Sequence, residues 1–134
     1  MNGIQKIVFP THQDQRGSLV VVEGEKDVPF PIARLFYIYG GGNEVRGCHA
    51  NRESEFVLVN VSGSCKLRVH DGTKEHEFVL DQPNEGIYLP KMTWKEMYDF
   101  SKDAVLLCIA STPYLAEEYI RDKEKFLKEM RQHE

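Results

Sequence analysis

An imidazole and an amide stand two residues apart in Arg46-Gly47-Cys48-His49-Ala50-Asn51, and a carboxylate follows at Glu55. Histidine titrates at about 6.5, so His49 suits proton transfer at neutral pH. The Asn51 amide can donate to one oxygen and accept from another. Arginine forks match phosphate oxygens, which makes Arg16, Arg34 and Arg46 candidate contacts for an anionic small molecule. Immediately downstream the run Phe56-Val57-Leu58-Val59-Asn60-Val61 is β-rich and apolar and stops at Ser62-Gly63. Strand alternation predicts His49, Asn51 and Glu55 on the same face as Val57, Val59 and Val61, with Cys48 pointing away.

The elements that must hold these groups are short. Apolar or alternating runs recur at Lys6–Phe9, Leu19–Val22, Ile32–Tyr39, Phe56–Val61, Cys65–Val69, Glu75–Leu80, Gly86–Leu89, Trp94–Tyr98 and Val105–Ala110. Turn residues separate them, which predicts an all-β sandwich or barrel of antiparallel strands. Asp71-Gly72 between two runs predicts a hairpin. Phe56–Val61 is apolar on both faces and predicts a strand covered twice, by a second sheet or a partner subunit. From Asp122 the spacing of Phe126, Leu127 and Met130 predicts one helix over about 122–132, capped by Asp122.

The 134 residues fit a single domain spanning 1–134 with a core large enough to need no disulfides. A net charge of −4 argues against nucleic acid. The absence of a long apolar run argues against a membrane span, and Met1 to Pro10 lacks the apolar segment of a secretory signal. Three cysteines, Cys48, Cys65 and Cys108, suggest reduced thiols and a cytoplasmic protein. His12, His70, His76 and His133 have no paired context and read as surface residues.

The central block resembles the cupin signature, a glycine turn followed by His-x-His, a Glu and a later Gly. Here these are His49, Asn51, Glu55 and Gly63. Asn51 stands where the second histidine would be, and no histidine follows near Glu85-Gly86 and Pro90. One His, one Asn and one Glu make a poor set for a divalent metal. The closer resemblance is to the sugar 3,4-ketoisomerases, metal-free cupins acting on nucleotide-linked 4-keto-6-deoxyhexoses. It is carried by Asp14-Gln15-Arg16-Gly17, Pro29 to Tyr39, Arg46 to Asn51, Val61 to Cys65, Asp71-Gly72, Leu89-Pro90 with Trp94, and Tyr119 to Asp122. Members mostly carry two histidines in the central block, the second at the position of Asn51.

The resemblance implies a cupin-type jelly-roll β-barrel of two antiparallel sheets with a C-terminal α-helix, a homodimer, and neither metal nor other cofactor. It implies a dTDP-linked sugar as partner and a place in deoxysugar biosynthesis for lipopolysaccharide or another glycan. Moving a ketone from C4 to C3 requires a proton to leave C3 and one to reach C4 through an enediol or enediolate. His49 is the expected base, with Tyr37 or Asn51 as donor to the enediolate oxygen. Tyr37 fits a plain barrel aromatic equally well. Arg16, Arg34 and Arg46 would hold the diphosphate, Trp94 and Tyr98 would line the site or stack on the base, and Glu55 would orient His49 or pair an arginine. A related sugar-nucleotide epimerase and a non-catalytic sugar-nucleotide-binding module are the alternatives.

Overall fold

A computed structural model describes residues 3–132. Its strands are β1 (Gln5–Val8), β2 (Thr11–Asp14), β3 (Gly17–Val20), β4 (Arg34–Tyr39), β5 (Arg46–Asn51), β6 (Phe56–Ser62), β7 (Cys65–His70), β8 (Glu75–Leu80), β9 (Glu85–Leu89), β10 (Trp94–Tyr98), β11 (Val105–Ala110) and β12 (Tyr119–Ile120). A single 3₁₀ turn, Ala116–Glu118, precedes β12, and helix α1 (Lys123–Gln132) follows it. The Asp122 carboxylate accepts the Glu124 N–H at 2.9 Å and so caps α1 as expected.

Two five-stranded antiparallel sheets face each other, in the orders β1-β9-β6-β11-β4 and β12-β5-β10-β7-β8. β2 and β3 form a separate hairpin. This is the all-β, cupin-type architecture expected, with one correction: the sheets do not close into a barrel. β1 and β4 edge the first sheet, β12 and β8 the second, and among the described residues no ladder joins one sheet to the other.

Between the sheets lie Phe56 and Leu58 from β6, Leu67 and Val69 from β7, Met97 from β10 and Leu106 and Cys108 from β11. The outer face of the first sheet buries Val57, Val59, Tyr88 and Ile109 beneath Phe9, Val28 and Phe30. β6 is therefore covered twice, as its two apolar faces require, and the second cover is the chain's own N-terminal segment. On the outer face of the second sheet Ala50, Trp94 and Ile120 pack against Phe126 of α1.

The expected register between His49 and the valines is overturned. His49 and Asn51 lie in one sheet and Val57 in the other, and the connection at 52–55 resets the alternation. The inward residues of β6 are Phe56 and Leu58, while Val57 and Val59 face out. Asp71-Gly72 does close the β7–β8 hairpin, with Gly72 at φ +99°. His70 and His76 are half-buried at this turn rather than free on the surface: His70 Nδ1 accepts the Gly72 N–H at 3.0 Å, and His76 bonds Asp71 at 2.9 Å. His133 lies outside the described residues. No described helix is long and apolar enough to cross a membrane.

Candidate active site

His49 occupies the one irregular step of β5. Gly47 and Cys48 have φ of +85° and +58°, and the pairing to β10 shifts register there, so that Lys95 lies opposite His49 and Glu96 opposite Gly47. A side chain at Gly47 would meet the Lys95 carbonyl oxygen at 2.9 Å, so the position demands glycine for space as well as conformation. The bulge turns the imidazole toward the gap between the sheets, while Cys48 packs with the Trp94 and Phe126 cluster behind, as expected.

The His49 Nδ1 lies 3.0 Å from the Gly47 carbonyl oxygen. A carbonyl only accepts, so Nδ1 carries the hydrogen and Nε2 keeps its lone pair. The ring rests against Tyr119, centroids 4.8 Å apart. Burial, and then the positive charge of Lys95, pull the imidazole down to about 4. It is therefore neutral, with an available lone pair, throughout the neutral range.

Beside it Asn51 is fully buried, and its Oδ1 accepts from Lys95 Nζ at 2.9 Å. The Lys95 ammonium sits 4.6 Å from the Phe56 ring centroid. Asn51 Nδ2 is buried without a well-formed bond, although its amide helps hold the nearby Glu118 carboxyl low. Glu118 is buried too, but its oxygens take the N–H of Glu53 at 3.0 Å, the N–H of Ser54 at 2.8 Å, and the Ser54 hydroxyl. It pins the turn between β5 and β6 to the strand carrying Tyr119.

Arg34 begins β4, and its guanidinium lies 5.2 Å from the Phe36 centroid and 5.6 Å from that of Tyr114. Its Nε and Nη2 are buried with no hydrogen-bond partner. Tyr114 in turn packs on Tyr119 at 5.6 Å, and Arg121 lies 4.7 Å from the Tyr119 centroid. Ring contacts thus link a neutral imidazole, near a buried ammonium, to two arginines through a tyrosine pair. Unfilled N–H groups on a buried guanidinium call for anionic oxygens.

Of the residues expected at the site, the fold gathers His49, Asn51 and Arg34. The others lie elsewhere, Trp94, Tyr98 and Tyr37 for reasons of strand parity. Lys95 and Met97 face inward, so Trp94 and Tyr98 face outward: the Trp94 indole N–H donates to Glu96 at 2.8 Å and its ring packs on Phe126, while the Tyr98 hydroxyl donates to Glu77. Tyr37 is on the outer face of β4, 63% exposed and stacked on Tyr39. Glu55 accepts the Tyr88 hydroxyl at 2.6 Å on the outside of the first sheet. Arg16 pairs with Asp14 at 2.6 Å on the tip of the β2–β3 hairpin. Arg46 is exposed at the start of β5, beside an open depression of about 400 Å³ lined by Gly40, Gly41, Gly42 and Glu44. Lys95, Tyr114, Glu118, Tyr119 and Arg121 were missed. The one trace of Lys95 in the sequence is that it alternates with the apolar Met97. Among the described residues no three His, Cys, Asp or Glu side chains converge as a metal site would require.

Residues 2–131 match the family model described as FdtA: WxcM-like, C-terminal. The chain belongs to this family, the sugar 3,4-ketoisomerases. A TDP-4-oxo-6-deoxy-alpha-D-glucose-3,4-oxoisomerase from Aneurinibacillus thermoaerophilus is 44% identical over 116 residues, 86% of this chain and 84% of that protein. The structure of a 3,4-ketoisomerase from Helicobacter canadensis matches with a TM-score of 0.92 at 40% identity, covering 96% of this ketoisomerase-family chain and 97% of the other. A variant of a 3,4-ketoisomerase from Thermoanaerobacterium thermosaccharolyticum, solved in complex with TDP-4-keto-6-deoxyglucose, matches with a TM-score of 0.93 at 32% identity, over 98% and 96% of the two chains. The ketoisomerase fold therefore extends over essentially the whole described chain, and the protein is an enzyme of this class.

Proposed function

We propose that this protein isomerises a TDP-linked 4-keto-6-deoxyhexose to the 3-keto sugar, with His49 as the carbon base and no bound metal. The carrying observation is the His49 imidazole, tied through Nδ1 to Gly47 and presenting a free Nε2 near the charges of Lys95 and Arg121. Nε2 takes the proton from C3, the resulting enediolate places its charge on O4, a proton passes from the O3 hydroxyl to O4, and the imidazolium returns its proton to C4 as the C3 carbonyl forms. Burial first, then the charges of Lys95 and Arg121, depress His49; a diphosphate held by Arg34 and Arg121 offsets the Arg121 charge and so strengthens the base when substrate is bound. Asn51 Nδ2 is a further donor to a sugar oxygen. Incubation of the protein with TDP-4-keto-6-deoxyglucose in D2O, followed by carbon NMR, tests the reading. The ketone is expected at C3. A ketone still at C4 with inverted C3 would establish the epimerase instead, and tight binding without any change would establish a binding module.

Arg34 supplies a charge-assisted fork, and bonds of that kind contribute about 1.5–3 kcal/mol each. An Arg34→Ala variant is expected to bind TDP about 10- to 100-fold more weakly by calorimetry, at unchanged thermal stability.

We propose that two copies associate through the outer face of β4, where Leu35, Tyr37 and Tyr39 are 58%, 63% and 74% exposed. Such a contiguous apolar stripe on an edge strand favours association. The double variant Leu35→Glu, Tyr39→Glu is expected to halve the mass measured by light scattering. The three free thiols and a nucleotide-sugar substrate fit a reducing cytoplasm.

A further inference from the structure

We propose that Lys95 is the second catalytic group of this site, moving a proton between the two sugar oxygens while His49 moves one between the two carbons. The proposal rests on the ketoisomerase reading above and deepens it. Lys95 is 3% exposed, lies opposite His49 in the β5–β10 ladder, and projects between the sheets over Phe56. An ammonium has three N–H donors. One goes to Asn51 Oδ1 at 2.9 Å, and no carboxylate among the described residues forms an ion pair with it. A buried lysine without a carboxylate is costly to keep unless something else uses the charge. Two donors therefore remain, next to the imidazole that deprotonates the substrate.

The charged and titratable groups around Lys95 leave it free to exchange its proton. His49 comes from β5 and is neutral. Cys108 comes from β11, and burial pushes its thiol up to about 12, so it too is neutral. Glu118, from the 3₁₀ turn, is ionised, but Ser54 and the backbone of Glu53 and Ser54 occupy its oxygens. Burial brings Lys95 down to about 7, where ammonium and amine are both accessible. Arginine could supply the charge but not the exchange. Asn51 cannot take a proton; it fixes the lysine in place.

The reaction needs this second transfer. When His49 removes the C3 proton, the C–H electron pair forms the C3=C4 bond and the carbonyl π pair moves to O4. Lys95 then gives a proton to O4. The resulting amine takes the proton from the O3 hydroxyl, the O3 electrons form the C3=O bond, and the C3=C4 pair takes the proton back from His49 at C4. Both residues end as they began, and no oxidant or second substrate is consumed.

The test compares wild type with Lys95→Met and Lys95→Arg on TDP-4-keto-6-deoxyglucose, with TDP affinity as the control for folding. Lys95→Met is expected to lose about 100-fold or more in kcat while KM and TDP affinity stay within about threefold. Lys95→Arg is expected to remain at least about tenfold slower than wild type despite its charge. Wild-type kcat/KM is expected to fall on the alkaline side of neutrality as the ammonium is lost. A Lys95→Met enzyme within about threefold of wild-type kcat would overturn the proposal. So would a wild-type kcat/KM flat from about pH 6 to about pH 10, which decides the matter even if the variants misfold. Wild type without any turnover would instead sink the ketoisomerase reading itself.

Discussion

A His49→Asn variant is expected to lose isomerisation by about 10³-fold in kcat, with TDP affinity within about threefold of wild type. The ring is held by its own backbone through Gly47 and lies tilted against Tyr119. Asparagine keeps the side chain polar and similar in reach, so a fall in rate reports the lost proton transfer rather than a collapsed site. The wild-type pH profile carries the same information. Burial and the Lys95 charge disfavour the imidazolium and bring His49 to about 4. Its lone pair is therefore present above that value and lost below it. In the free enzyme kcat/KM is expected to hold from neutral pH down to about pH 5 and then to fall toward a tenfold loss per pH unit. A histidine at its ordinary value would instead show the fall beginning near pH 6.5.

Replacing Glu118 by alanine is expected to lower folding stability by about 3–5 kcal/mol in chemical denaturation. The carboxylate receives two backbone N–H groups and the Ser54 hydroxyl at the turn that carries the chain from one sheet to the other. Alanine leaves those buried donors with no acceptor. Burial alone would raise the Glu118 carboxyl above the usual range, but the Ser54 hydroxyl, the Glu53 and Ser54 N–H groups and the Asn51 amide outweigh it and hold it lowered from 4.5. A depressed folded value contributes stability above the unfolded value of 4.5 and loses it as pH falls through the folded one. The difference between wild type and Glu118→Ala is therefore expected to be full at pH 7 and to shrink in acid. A difference that stays constant through that range would mean that the carboxylate is not what holds the turn. Because Glu118 also sets the position of β12, the variant is expected to lose activity through displacement of Tyr119.

The alternating runs and turn residues made the strands and the β7–β8 hairpin legible, since side-chain period and turn chemistry are local properties. The two apolar faces of β6 announced a strand covered twice. The Arg-Gly-x-His context made His49 legible, because a glycine there signals a backbone that must bend, and the structure puts a bulge at that point. Facing was not legible. In β10 the residues Trp94, Glu96 and Tyr98 on one side and Lys95 and Met97 on the other are each mixed in polarity, so alternation could not say which set met the cavity. The aromatic set looked more like a binding surface, but helix α1 covers Trp94, and the lysine points inward. Parity carried across residues 52–55 failed for a related reason: a turn between sheets keeps no memory of the strand before it. Glu118, Tyr114 and Tyr119 received no role in the sequence because they reach the site from a 3₁₀ turn, the loop before it and a two-residue strand, segments too short to leave a periodic pattern.

The most direct measurement places wild type and His49→Asn side by side with TDP-4-keto-6-deoxyglucose and reads the ketone position by carbon NMR over time. Wild type is predicted to move the carbonyl resonance from C4 to C3, while His49→Asn leaves it at C4. Equal conversion by both proteins, or no conversion by wild type, would contradict the account.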